Sequence, residues 1–102
     1  MDIHPIPCLK DNYSYLLICP QSKKAAVVDP SEFIPVFNEI QNHDIDLVSI
    51  FNTHHHWDHV GGNEEFVERC PSIKIYAHAS DRGRVPCQTH DLEDGDKILL
   101  GT

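Results

Sequence analysis

The chain is poor in positive charge: 8 lysines and arginines stand against 16 aspartates and glutamates, a formal charge of −8. That balance argues against nucleic acid or an anionic membrane as partner, and an anionic substrate would need cations placed locally. Long apolar runs are also missing. The longest, Tyr15 to Cys19, is far too short to cross a bilayer, and the opening residues, with Asp2, His4, Pro5 and Pro7, do not have a signal-peptide pattern. The four cysteines, Cys8, Cys19, Cys70 and Cys87, contain no Cys-x-x-Cys pair, and their low density favours reduced thiols over two disulfides. A cytoplasmic protein, or one of an organelle matrix, is expected. Neither an internal repeat nor a low-complexity tract is visible. With 102 residues, 40 % hydrophobic and 24 % charged, the chain reads as globular and as one domain at most.

What the chain does have is histidine, concentrated in one stretch. Leu47, Val48, Ile50 and Phe51 form a short apolar run of strand-favouring residues. Directly after Asn52 and Thr53 come His54, His55, His56, Asp58 and His59. Imidazole nitrogen and carboxylate oxygen are ligands that zinc, iron and manganese share. In an extended segment His54 and His56 point to one side and His55 to the other, so the first two can pinch one ion. Asp58 and His59 offer a second pair just beyond Trp57, and two neighbouring pairs suit a two-metal site with ions about 3.5–4 Å apart. Gly61-Gly62 allows a sharp turn, and Asn63 reads as the N-cap of a helix with Glu64 and Glu65 in its first turn. A purification tag or a solvated loop is the competing reading. A tag has no interleaved Trp57 and Asp58 and does not follow an apolar strand.

The remainder reads as scaffold. Ile3 to Leu9, with two prolines, suits an edge strand, and Lys10 to Asn12 a turn. Tyr13 to Cys19 is a strand, Pro20 to Lys24 a hairpin turn, and Ala25 to Val28 a buried strand ending at Asp29-Pro30. Ser31 is placed to cap a helix from Glu32 to about Asn42, with Val36, Phe37 and Ile40 on one face and Pro35 tolerated in the first turn. A short helix from Glu64 to Arg69 stops at Cys70-Pro71, and Ile73 to Ala77 is another strand. This alternation predicts an α/β layered fold with a mixed sheet. Further on, His78, Asp81, Cys87 and His90 read first as surface loop residues and only second as ligands. Lys97 to Leu100 is expected to begin a strand after the Asp94-Gly95-Asp96 turn.

The segment Thr53-His-His-His-Trp-Asp-His59 resembles the His-x-His-x-Asp-His signature of the metallo-β-lactamase superfamily. With His55, Trp57 and Val60-Gly61-Gly62-Asn63-Glu64 it resembles the glyoxalase II family within it. Pro7 to Leu17 and Leu92 to Ile98 match the same family. The resemblance implies a four-layer αββα sandwich, of which residues 1–102 form one partial domain: the N-terminal half, with the second half and a C-terminal helical region lying downstream. It implies two divalent metal ions, zinc first with iron or manganese as alternatives. His54, His56, Asp58 and His59 would be ligands, and Asp58 would also be catalytic by orienting the attacking water or taking its proton. Asp29, whose competing reading is a cap for the next helix, is implied to accept the far N–H of a metal-bound histidine. The implied reaction is hydrolysis of S-acylglutathione thioesters, S-D-lactoylglutathione giving glutathione and D-lactate, a step of methylglyoxal detoxification. The implied partner is thus a small-molecule glutathione thioester, with self-association through an uncovered apolar sheet face expected of half a sandwich. Two other readings stay open: a persulfide dioxygenase of the same superfamily, and a non-catalytic metal-binding or oligomerisation module.

Overall fold

The computed structural model describes residues 2–8, 12–53, 60–93, 95–98 and 100. Strands β1 (Asp2–Cys8), β2 (Asn12–Ile18) and β3 (Lys24–Val28) lead into helix α1 (Phe33–Gln41) and strand β4 (Asp46–Phe51). Helix α2 (Asn63–Arg69), strand β5 (Lys74–His78), a single 3-10 turn at Ala79–Asp81 and strand β6 (His90–Leu92) complete the described elements.

The six strands lie in one sheet in sequence order. β1, β2 and β3 form an antiparallel meander, whereas β4, β5 and β6 each pair parallel with the strand before. The expected mixed sheet is therefore present. Pro5 and Pro7 sit opposite Tyr15 and Tyr13 in β1, at the sheet edge, where a missing N–H is tolerated. The β2–β3 hairpin closes with reciprocal backbone bonds between Cys19 and the Lys23–Lys24 segment, 2.9 Å each, with Lys23 in the left-handed region at φ 63°.

Because β3, β4 and β5 advance across the sheet in one direction, right-handed crossovers place α1 and α2 on the same face. That face holds the core. Ile6, Cys8, Leu16, Ile18, Ala25, Val27, Ile50, Ile75 and Ala77 from the strands meet Phe33, Val36 and Phe66 from the helices. Phe33 and Phe66 bring the helices together at 4.7 Å between ring centroids, and the Arg69 guanidinium lies 5.2 Å over the Phe33 ring. The expected helical stripe of Val36, Phe37 and Ile40 packs here as well.

The opposite face is apolar but open. Phe51 and Tyr76 stack at 5.1 Å, with His90 4.8 Å from Tyr76, while Ile3, Tyr13 and Tyr15 are among the exposed large hydrophobics. An uncovered apolar sheet face of this kind is what half of a two-sheet sandwich presents. Among the described residues, no helix is long and apolar enough to cross a membrane.

Three local expectations are corrected. The N-cap position of α1 is Glu32 and makes no side-chain cap bond. Ser31 instead directs its hydroxyl to the Asp29 carbonyl, at 3.4 Å, because Ser14 and Asp29 draw the loop inward. Asn63 is not a cap: Gly62 takes that position, and Asn63 is fully buried as the first helical residue. Lys97, Ile98 and Leu100 lie outside any strand, whereas the short polar segment His90–Leu92 forms β6. Strand propensity alone does not place a strand; pairing does, and the polar segment His90–Leu92 pairs parallel with β5.

Candidate metal centre

β3, β4 and β5 are parallel and end at Val28, Phe51 and His78, and their C-terminal ends are laced together. The Asp29 N–H donates to the Phe51 carbonyl and the Asn52 N–H to the Tyr76 carbonyl, both at 2.9 Å. Clefts outside the carboxyl ends of parallel strands are the usual ligand sites of open α/β sheets. The histidine-rich stretch leaves the sheet at this end, directly after β4. His54, His56, Asp58 and His59 themselves lie outside the described residues, as does Trp57.

The residues flanking that stretch are tightly held. Asp29 is buried, 6 % exposed, and adopts the left-handed conformation at φ 51°, which aspartate tolerates better than most residues. Its carboxylate accepts from Thr53 twice, from the backbone N–H at 2.8 Å and from the hydroxyl at 2.5 Å. Asp29 therefore does not cap α1; it grips the residue immediately before His54. Ser14 supports this loop from β2. Its hydroxyl, wholly buried, donates to the Asp29 carbonyl at 2.6 Å and accepts from the Ser31 N–H at 3.4 Å.

The far side of the stretch is held equally firmly. The Gly62 N–H donates to the Pro30 carbonyl at 2.7 Å, and a Cβ at Gly62 would stand 2.9 Å from that same oxygen. Only glycine permits so close an approach. The buried Asn63 amide donates to Asn52 Oδ1 at 2.7 Å and to the Pro86 carbonyl at 3.0 Å. Its own Oδ1 accepts from no described group. The described residues on either side of the stretch are thus clamped, by Asp29–Thr53 before it and by Pro30–Gly62 with Asn52–Asn63 after it.

Thr53, Ser14 and Asn52 were not singled out from the sequence. The available signal was polarity out of place: Ser14 interrupts a strand of aromatic and aliphatic residues, and Asn52-Thr53 separates an apolar run from the histidines. Two of the other candidate ligands each meet a neighbouring hydroxyl. His78 Nδ1 lies 2.8 Å from the Ser80 hydroxyl, and His90 Nδ1 lies 2.7 Å from the Thr89 hydroxyl. Exposed His78 and His90 terminate or begin strands instead of sitting in a loop, and Cys87 is exposed at φ 63°. All four cysteines are free thiols.

The metallo-beta-lactamase superfamily model matches residues 10–94. The chain belongs to this superfamily. Solved structures agree on the fold: the BLEG-1 B3 metallo-beta-lactamase superposes with a TM-score of 0.81 at 20 % identity, over 98 % of this chain and 57 % of that one. ETHE1 from Myxococcus xanthus gives a TM-score of 0.81 at 22 % identity, over 99 % of this chain and 44 % of that one. Sequence relatives are nearer. A hydroxyacylglutathione hydrolase of Gloeobacter violaceus is 50 % identical over 101 residues, which is 99 % of this chain and 40 % of that protein. One from Synechocystis is 49 % identical over 98 residues, 96 % of this chain and 38 % of that protein. The chain therefore spans about two fifths of the length of these curated relatives. Superfamily membership brings divalent metal binding with it, and three imidazoles and one carboxylate within six positions are a donor set that fits such ions.

Proposed function

We propose that residues 1–102 are the N-terminal part of a metallo-β-lactamase-type domain whose full-length protein hydrolyses S-acylglutathione thioesters, with S-D-lactoylglutathione giving glutathione and D-lactate. The observation that carries the reading is the 50 % identity, across 99 % of this chain, to a hydroxyacylglutathione hydrolase. In this reading His54 and His56 would hold one ion, and Asp58 and His59 the other. Zinc is the metal put forward, with iron and manganese able to use the same ligands. Divalent ions held there would polarise the thioester carbonyl and activate water near neutral pH. Asp58 would orient that water or accept its proton.

The clamps give the scaffold its share of the work. Asp29 fixes Thr53 and with it the start of the ligand stretch. In this reading Asp29 would also accept the far N–H of a metal-bound histidine and fix its tautomer. The apolar sheet face, carrying Phe51, Tyr76 and Tyr15, would receive the second sheet of the sandwich. Reduced thiols fit a cytoplasmic or matrix setting.

The test is metal analysis plus thioesterase assay on the protein encoded by the full reading frame. Two metal equivalents at the histidine-rich stretch and glutathione release are expected, both lost on alanine replacement of His54, His56, Asp58 and His59. Unchanged stoichiometry and rate in that variant would refute the ligand assignment, and oxygen-dependent persulfide turnover in place of hydrolysis would refute the substrate class. Residues 1–102 alone should bind metal substoichiometrically at that stretch, with negligible turnover.

A further inference from the structure

Away from the histidine-rich stretch, His4, Glu39 and His43 form a second group of metal-ligating side chains. His4 lies on β1 on the same side as buried Ile6 and Cys8, the side on which α1 packs. Glu39 is in the last turn of α1, and His43 follows its C-cap Asn42. One ligand atom from each lies within 4.8 Å of the other two, and all three residues are half-buried. α1 starts four residues after Asp29 and runs for nine residues, so this cluster sits roughly 13 Å along the helix from the end nearest Asp29.

We propose that His4, Glu39 and His43 form a peripheral site for a borderline divalent cation of the zinc class, fastening the edge strand β1 to the C-terminal end of α1. His43 Nε2 and Glu39 Oε1 are 3.3 Å apart. That is the donor spacing of tetrahedral zinc, since bonds of about 2.0–2.1 Å set the tetrahedron edge near 3.3 Å. The His4 and His43 rings already converge, with centroids 4.7 Å apart and planes tilted by 47°. The half-buried setting leaves water free to complete the shell. A second observation points to a cation. The last turn of α1 contains no basic residue, yet it carries the Glu39 carboxylate at the negative end of the helix dipole. Positive charge is what stabilises such an end. Two imidazoles with one carboxylate select zinc, nickel or copper over magnesium or calcium, which prefer oxygen ligands throughout.

The competing reading is a plain i,i+4 contact between Glu39 and His43, with His4 a bystander. Zinc titration with calorimetry separates the two, using the chain and a background in which His54, His56, Asp58 and His59 are all alanine. The background should still take up one zinc equivalent, and its unfolding midpoint should rise with zinc. Both effects should vanish on adding His4→Gln or Glu39→Gln. Where that background fails to fold by circular dichroism, cobalt replaces zinc in the unaltered ligand stretch. The tetrahedral cobalt absorption should then drop by one equivalent in His4→Gln relative to the parent. Identical stoichiometry with and without His4 would overturn the proposal, as would a folded background that takes up no zinc.

Discussion

Replacing Asp29 with alanine removes both acceptors of the Thr53 clamp and places alanine at φ 51°. Hydrogen bonds to a charged partner contribute about 1.5–3 kcal/mol each, and the left-handed backbone costs a residue without a local hydrogen-bonding side chain about 1 kcal/mol. Those figures add to about 4–7 kcal/mol, and because Thr53 is exposed, water competes for both bonds and lowers the expected total to about 2–4 kcal/mol. For a domain whose whole stability is about 5–15 kcal/mol, this shifts a urea midpoint by roughly 1–2 M. Asp29→Asn keeps the shape, one acceptor and the tolerance for φ > 0, and should lose about 1–2 kcal/mol. Thr53→Val removes only the hydroxyl bond, about 1 kcal/mol. The decisive measurement is the double-mutant cycle of Asp29→Ala with Thr53→Val, where a coupling of about 1 kcal/mol or more is expected. If the two losses simply add, within about 0.3–0.5 kcal/mol, the clamp is not an energetic unit and the argument fails.

Gly62→Ala drives a Cβ to 2.9 Å from the Pro30 carbonyl and should cost about 1–3 kcal/mol in equilibrium unfolding, with metal affinity reduced alongside. A loss below about 0.5 kcal/mol would show that the Pro30 loop yields freely. Phe66→Ala empties the contact between α1 and α2, where Phe66 is 1 % exposed, and should cost about 3–5 kcal/mol without altering the sheet signal in circular dichroism. Tyr15→Lys with Ile3→Lys, on the open face, should reduce self-association of residues 1–102 in sedimentation velocity while changing stability little.

The fold was largely legible because its signals are repetitive. Two strands bounded by turn residues, a helix with Val36, Phe37 and Ile40 in register, and an apolar run before the histidines each carry their period over several residues. β6 was not legible. His90-Asp91-Leu92 is short and polar, and its place depends on distant partners. Gln88 Nε2 reaches Asp91 Oδ1 at 3.0 Å, and Arg82 pairs with the same carboxylate at 2.7 Å. The roles of Ser31 and Asn63 were misread for a related reason. Each has cap-forming chemistry, but burial diverted Ser31 to the Asp29 carbonyl and Asn63 to Asn52 and Pro86. Local sequence shows which bonds a side chain can make, and tertiary contacts select among them. The candidate ligands were read from composition, spacing and the resemblance to the superfamily signature. What the structure adds is the support on either side of them.

The strand order carries a consequence for how the chain is made. Since each strand pairs with its immediate predecessor, every new strand leaving the ribosome finds its docking edge already formed. The sheet can grow like a zip, from the β1–β2 hairpin toward β6, with no earlier strand waiting for a later one to be inserted beside it. The ligand-bearing stretch follows β3 in the chain, so Asp29 leaves the ribosome before the histidines it anchors through Thr53.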